Sequence, residues 1–333
     1  MNKDFFYVRN RMKIIESITE MQQYSIQLKS KGKTLANVST TGFLHAGHMH
    51  LVDIAKENAD EVVLSIDHID PYLKYRHEAS DIYDKYLKGY KTKQLDKDLE
   101  LSKQHGVDIF FHPDMRKVYV SQTTQIHRNI KKLRKTYKGV EFASPNISKS
   151  NLKDFNIIMP DIIMMGQKDI FQNLEAQFLI TDFNFPIKMI MVPIVRESDG
   201  LASSSRLERL SKSDRKNARS IYESLKDIEE WVQQLDSPSI PDIKEHIRQK
   251  IIGANGQINY IVICCASTLE ELRFFNRKAL IVVDATFGNT PLSDNIIIEP
   301  KDNIKKINNK PLNSEQKVPL WDGPYRKKPG EYS

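Results

Sequence analysis

The sequence predicts an α/β protein, with a parallel sheet and crossover helices in its larger domain and a smaller α+β domain behind it. Three observations carry that prediction. Apolar runs of strand length recur up to Val195 with helical stretches between them. After Ser213 the pattern changes to one long amphipathic helix. Three more strand-like runs then close the second domain. Strands that alternate with helices pair in parallel, because each crossover helix returns the chain to the same end of the sheet.

The runs LANVS (35–39), EVVLSI (61–66), VDIFFH (107–112), DIIMMG (161–166) and IKMIMVPIV (187–195) read as buried strands. Between the first two, Leu51, Val52 and Ala55 fall at helical spacing. Ligands of such sheets bind beyond the carboxyl ends of the strands, so the loops there are the places to look for chemistry. From Ser213 onward Ala218, Ile221, Tyr222, Leu225, Ile228, Trp231, Val232 and Leu235 form one apolar stripe. The segment SPSIP (237–241) breaks the chain ahead of another short helix, and INYIVICCA (258–266), ALIVVDATFG (279–288) and DNIIIE (294–299) are the closing strands. The expected domains are therefore 1–195, 196–300 and a Lys-, Asn- and Pro-rich tail, 301–333, with little periodicity.

With 333 residues, 40% of them apolar and 28% charged, the chain has the make-up of a globular protein of two ordinary domains. No apolar run approaches the ~20 residues that cross a bilayer, and MNKDFFYVRNRMK offers no apolar stretch before a cleavage site; a cytoplasmic protein is expected. The only cysteines, Cys264 and Cys265, are adjacent on a strand and point to opposite faces, so both read as reduced packing residues. The formal charge of +7 suits nucleic acid or an anionic small substrate such as a nucleoside triphosphate. HRNIKKLRKTYK (127–138) holds six Lys/Arg and no acid, and reads as a solvated helix face or a nucleic-acid patch.

Three segments carry chemistry. TTGFLHAGHMHLV, Thr40 to Val52, follows a strand and opens a helix. Gly42 permits a tight turn, and His45 and His48 flank Ala46 and Gly47 where free N–H groups and the helix dipole favour phosphate. Imidazole donors there can follow charge developing on a phosphate; alone, the pair would favour packing or a chance metal site, and its place after a strand and a Gly turn favours phosphate chemistry. MMGQKDIFQNL, Met164 to Leu174, again joins a strand to a helix. In it Lys168 is placed to neutralise phosphate oxygens, Asp169 to cap the helix or hold a ribose hydroxyl, and Gln172 to face the same cleft. VPIVRESDGLASSSRLERLS, Val192 to Ser211, ends a strand in a polar loop whose Ser203, Ser204, Ser205 and Arg206 suit a polyphosphate, or simply cap the next helix.

In this order the three segments resemble the pantothenate synthetase (pantoate–β-alanine ligase) family of the HIGH-type nucleotidyltransferase superfamily. TTGFLHAGH resembles its TMGxLHxGH motif, GQKDIFQ its GEKDxxQ, and VPIVRESDGLASSSR its VPTVREaDGLAxSSR; INYIVI and DNIII resemble its terminal strands. The resemblance runs from about Met12 to Glu299. It implies a Rossmann-like nucleotide-binding domain with a smaller C-terminal lid, usually in a homodimer. It also implies a reaction that uses ATP and Mg2+ to form an acyl-adenylate, releases pyrophosphate, and lets an amine displace AMP. Carried onto matching positions, it places ATP along Thr41, Gly42 and Gly47, with His48 as proton donor and His45 as its phosphate-binding partner. Gly166, Lys168, Asp169, Val195, Ser203, Ser204, Ser205 and Arg206 complete the nucleotide site, and Gln172 contacts the acid.

The departures from the family fall on the acid pocket. Where the family has Asn-Pro-x-Gln-Phe, whose glutamine holds both substrates, this chain reads SIDHIDPYLKY (65–75). Its His-Phe-x-Gly-Val segment is replaced by FASPNISKSN (142–151), Thr41 stands for methionine and Leu207 for asparagine. Asp81 and Asp84 are what remains of an acidic pattern that would serve magnesium. A site built on specific hydrogen bonds rejects substrates that leave its polar groups unpaired. The sequence thus favours an ATP-dependent carboxylate–amine ligase for an acid other than pantoate, with authentic pantoate–β-alanine ligation as the alternative. The carboxylates Asp67 and Asp70, with His68, would receive a cationic or hydroxyl-rich group of the acid, or else the protonated amine. Two other classes compete. A nucleotidyltransferase acting on a phosphate acceptor shares the His and Ser-Ser-Arg logic. A nucleic-acid binder would rest on residues 127–138, which lack interleaved aromatics apart from Tyr137.

Overall fold

The structure is a computed structural model, and residues 12–66, 94–119, 145–234, 239–266 and 269–300 are described. They fall into two compact units. One takes in the described residues up to Tyr119, 145–166 and Glu175–Val192; the other takes in Gln167–Leu174 and those from Pro193 on.

The first unit is a parallel sheet of β1 (Lys13–Ile15), β2 (Leu35–Thr40), β3 (Glu61–Ile66), β4 (Ile109–Phe111), β5 (Ile162–Gly166) and β6 (Lys188–Val192), in the order β1-β4-β3-β2-β5-β6. Its helices are α1 (Ile18–Ser30), α2 (Ala46–Asn58), α3 (Leu95–Gln104), the single turn α4 (Met115–Val118), α5 (Pro145–Ile157) and α6 (Ile170–Asp182), whose first turn groups with the other unit. The strands read as apolar runs because both faces are covered. Ala36, Val38, Val62 and Leu64 pack with Met49, Val52 and Ala55 of α2. The alternate residues Leu35, Val63, Ile109 and Phe111 pack with Met21 and Leu28 of α1 and with Ile157 and Ile158. Ser17 caps α1, its hydroxyl accepting from the amide of Glu20.

Two features of this sheet differ from the sequence reading. Strand β1 goes unread because it is three residues long and exposes Ile14; it pairs in parallel with β4. The run read as 187–195 ends at Val192, since Pro193 has no N–H to donate to a ladder. On β2 and β3 the buried Asn37 Oδ1 and Ser65 Oγ have no hydrogen-bond partner among the described residues. They lie on the same face, since Asn37 is level with Val63 and Ser39 with Ser65.

In the second unit, β7 (Gln257–Cys265), β8 (Ala279–Phe287) and β9 (Thr290–Ile298) form an antiparallel sheet, β7-β8-β9. The helices α7 (Lys212–Gln234) and α8 (Ile240–Gly253) pack on it. Ile221, Leu225, Ile228 and Val232 of α7 and Ile243, Ile247 and Ile251 of α8 meet Ile263, Ile281, Val283 and Phe287 of the sheet. Strand β9 starts at Thr290, four residues before the apolar run DNIIIE, because Gly288 and Asn289 form a two-residue hairpin loop that puts Thr290 opposite Phe287. Pro291 is tolerated there because β9 is an edge strand of this sheet. Cys264 and Cys265 are buried, and neither is in a disulfide among the described residues. No helix among the described residues is long and apolar enough to cross a membrane.

One prediction concerns a buried hydroxyl of the first unit, and another a partly exposed carboxylate of the second. Burying a hydroxyl without a partner costs about 1–3 kcal/mol, so Ser65→Ala should raise the unfolding free energy by about 1 kcal/mol, read as a shift in urea midpoint at constant slope. A loss of stability would mean that this hydroxyl has a partner. The second concerns Asp227 of α7: burial pushes its carboxyl up, but hydrogen bonds from Lys250 and His246 of α8 outweigh that and hold it below the ordinary carboxylate range. A carboxyl depressed in the folded state stabilises fully above its unfolded pKa of about 3.9, and that stabilisation is lost as pH falls through the folded value. The urea midpoint should therefore drop as pH falls below about 4, and Asp227→Asn should flatten that drop while lowering stability at pH 7.

Candidate active site

In the first unit the chain leaves β2 through a turn held by side chains from both directions. The amide of Gly42 donates to Thr40 Oγ1 at 2.8 Å, and Gly42 sits at φ 82°, a left-handed conformation that a side chain would strain. The next residue, Phe43, also has positive φ, 55°. Its amide donates to Asp98 Oδ2 at 2.8 Å, and that of Leu44 to Asp98 Oδ1 at 3.0 Å. Asp98, on α3, is 1% exposed, and Gln94 Nε2 donates to it at 2.9 Å. A buried carboxylate thus ties down the loop that precedes α2.

His45 is the N-cap of α2, and its Nδ1 accepts from the amide of Gly47 at 3.2 Å. In the neutral ring this leaves Nε2 as the N–H donor. The rings of His45 and His48 are 4.0 Å apart between centroids and tilted by 34°, both half-buried. The His-x-Gly-His pair therefore stands on the first turn of a 13-residue helix, where amide groups and the helix dipole favour an anion. Thr41 is exposed and Gly47 half-buried. Gly166 ends β5, and a Cβ added there would meet no atom within 4 Å.

In the second unit Gln167–Asp169 form a single 3-10 turn. Lys168 is half-buried, with Nζ 3.5 Å from Asp169; Asp169 and Gln172 are exposed. The loop after Pro193 is held by the amide of buried Ser203, which donates to the Val195 carbonyl at 2.8 Å, and by a bridge between Arg196 and Ala202. Gly200 allows the tight return at φ 89°; a Cβ there would lie 2.5 Å from the ring of Tyr222. Ser204 caps the short helix Ser205–Arg209, while Ser205 and Arg206 are exposed and Arg206 Nη1 donates to the Pro291 carbonyl at 3.3 Å.

Lys168, Ser204 and Arg206 line one cleft together with Leu292, Ser293 and Asp294. Two carboxyls feel these cations: burial pushes both Asp284 and Asp294 up, against the pull of Lys168 on each. Arg206 also acts on Asp284, and Asn259 hydrogen-bonds to it. Within this unit, then, the second and third motifs of the sequence come together as a cationic, hydroxyl-bearing surface, the chemistry that binds polyphosphate.

His68 and Asp70, with Asp67, Asp81 and Asp84, lie outside the described residues, as does the basic stretch 127–138. Among the described residues no group of three His, Cys, Asp or Glu side chains is placed to hold a metal ion. Sequence reasoning missed Asp98, whose helix it did not single out, and the pairing of Arg196 with Asp294. Arg196 donates to that carboxylate at 2.6 and 3.2 Å and lies 4.0 Å over the ring of Tyr222. The sequence signal for the latter was a polar Asp-Asn pair heading the apolar run of β9.

A model of the family described as pantoate-beta-alanine ligase matches residues 13–297. Pantothenate synthetase from Syntrophomonas wolfei is 34% identical over 86% of this chain and all of its own length. The same enzyme from Geobacillus thermodenitrificans is 33% identical over 86% of this chain and 97% of its own. The crystal structure of pantothenate synthetase from Thermus thermophilus superposes with a TM-score of 0.73 at 25% identity, covering 87% of this chain and all of that one. This chain belongs to the pantoate–β-alanine ligase family, and it is an ATP- and Mg2+-dependent ligase that forms a carbon–nitrogen bond.

Proposed function

We propose that the chain joins pantoate to β-alanine to make pantothenate. The carboxylate of pantoate attacks the α-phosphorus of ATP, pyrophosphate leaves, and a pantoyl adenylate forms. The amine of β-alanine then attacks the acyl carbon, a proton is lost, the amide forms and AMP leaves. The observation that carries this reading is the family match across residues 13–297, which takes in all three motifs and both units. It supports the pantoate reading over the different acid that the departures at residues 65–75 and 142–151 suggested.

In this reading the residues divide the phosphate chemistry between them. The amides at the start of α2 and Nε2 of His45, the N–H nitrogen of a neutral ring whose Nδ1 accepts from Gly47, donate to phosphate oxygens. His48 donates to the oxygen on which charge develops. Lys168 and Arg206 offset the charge of the departing pyrophosphate, and the hydroxyls of Ser203, Ser204 and Ser205 and the backbone at Gly166, Asp169 and Val195 hold the rest of the nucleotide. Gln172, exposed on the first turn of α6, contacts the acid. Magnesium, when bound, neutralises phosphate charge; it is typically held by phosphate oxygens and one or two carboxylates, a role proposed for Asp81 or Asp84. Asp70 and His68 are proposed to face the acid or the amine. A cytoplasmic location fits two buried cysteines that are kept reduced.

Assays of product and of substrate choice come first, and substitutions second, in testing this proposal. With ATP, Mg2+, pantoate and β-alanine, the purified protein should yield pantothenate, AMP and pyrophosphate in equal amounts; ADP and phosphate as products would refute the adenylate route. A pyrophosphate-release screen that includes hydroxylated and amino-bearing acids separates pantoate from the alternative: a much higher kcat/KM for another acid would mean that the missing glutamine marks a changed specificity. Second, His48→Ala and Lys168→Ala should each lower turnover by about 100- to 1,000-fold, the usual loss for one well-placed donor, with thermal unfolding unchanged within a few degrees. Near-normal adenylation by His48→Ala would remove that residue from the mechanism.

A further inference from the structure

Strand β9 places two polar residues side by side in the core of its unit: Asp294 is 3% and Asn295 1% exposed. Burial of that kind is costly unless the polar atoms find partners, so the partners show what the residues are for. Asn295 Nδ2 donates to the carbonyls of Gln167 and Lys168, both at 3.0 Å. Its Oδ1 accepts from Gln167 Nε2 at 3.1 Å. Three hydrogen bonds therefore join β9 to one three-residue 3-10 turn distant in the sequence.

That turn leads straight into α6 at Ile170. A 3-10 turn has poorer internal hydrogen-bond geometry than an α-helix, so donors from outside add to the hold on its carbonyls. Only an amide of this reach supplies two N–H donors to neighbouring carbonyls and an acceptor to the Gln167 side chain. The backbone anchored in this way is the one from which Lys168 projects into the cleft it shares with Ser204 and Arg206. Asp294 acts independently on the other segment of that cleft, gripping Arg196, whose Nη1 also donates to the Gly200 carbonyl at 3.1 Å.

We propose that Asn295 is a positioning residue for the ligation reaction: by clamping the carbonyls of Gln167 and Lys168 it sets where the Lys168 ammonium stands. The proposal rests on the reading of Lys168 as a phosphate-binding cation. A displacement of about 1 Å in a reacting or stabilising group can cost on the order of 100-fold in rate, so the clamp matters to turnover even though Asn295 touches no substrate.

A double-mutant cycle tests this on the full-length enzyme, with pyrophosphate release as the assay and thermal unfolding alongside. Asn295→Ala should lower kcat by about 10- to 100-fold with the KM of acid and amine unchanged. Combined with Lys168→Ala it should add no more than about 2-fold to the loss from Lys168→Ala alone, because the two act through one cation. A loss that multiplies in full in the Lys168→Ala background would overturn the proposal, since a general structural defect does not depend on Lys168. So would an Asn295→Ala enzyme of near-normal turnover beside a crippled Lys168→Ala. If Lys168→Ala is itself near normal, the phosphate-binding reading of Lys168 fails and the positioning role falls with it. Should Asn295→Ala not fold, Asn295→Ser keeps one donor and completes the same cycle, with a smaller loss and the same coupling expected.

Discussion

The polar chemistry of the first unit depends on one buried carboxylate, that of Asp98. Strand β2 lies inside the parallel sheet with both faces covered, so the chain can change direction only beyond its carboxyl end. There the turn runs through two residues of positive φ, Gly42 and Phe43, and the second of them is not glycine. A non-glycine residue in the left-handed region persists only when its surroundings over-determine it. Asp98 does so by accepting from the amides of both Phe43 and Leu44, the charge-assisted kind of hydrogen bond that is worth most in a buried place. With the loop fixed, His45 arrives as the cap of α2 with one ring nitrogen already engaged, and His48 stacks beside it.

The second unit solves a related problem with an edge strand. Three strands and two helices bury a continuous apolar core, yet the segments that carry Lys168 and Ser203–Arg206 have almost no regular structure of their own. They are held from β9, by Asn295 on one and by Asp294 through Arg196 on the other. A buried charge pair of this sort gains little net stability, because desolvation of both ions offsets their attraction. Its use here is geometric: the guanidinium is held by two bonds to a carboxylate, one to a carbonyl and the face of Tyr222, which ties the loop to β9 and α7.

Much of this was legible in the sequence. The five main strands of the first unit announce themselves as apolar runs because parallel strands buried on both faces need nothing else. The amphipathic stripe of α7 and the closing strands are equally plain, and the His-x-Gly-His pair falls on a helix start as a Gly turn after a strand requires. What the sequence hides is whatever depends on long-range pairing. Strand β1 is three residues long and becomes a strand only by lying against β4. The start of β9 is set by a hairpin register, not by its apolar run. Asp98 and Asn295 look like ordinary polar residues, since the backbone groups they hold lie 54 or more positions away.

The same distinction explains why the ligase class is readable and the acid is harder to assign. Phosphate is recognised largely by features that a short segment contains whole: amides at a helix start, a glycine turn, an imidazole, a lysine or an arginine beside hydroxyls. Each needs only its own few residues in order, so a match of motif is close to a match of chemistry. A carboxylic acid with its own hydroxyls is recognised by side chains drawn from separate strands and helices, and each contact can be supplied from more than one position. Losing a glutamine after β3 therefore removes one supplier without saying whether the polar demand has vanished or moved. The family match weighs towards a demand that has moved. In that case some polar group of this chain takes over the glutamine's hydrogen bonds, because a buried hydroxyl or carboxylate of the acid left without a partner would cost about 1–3 kcal/mol or more in binding.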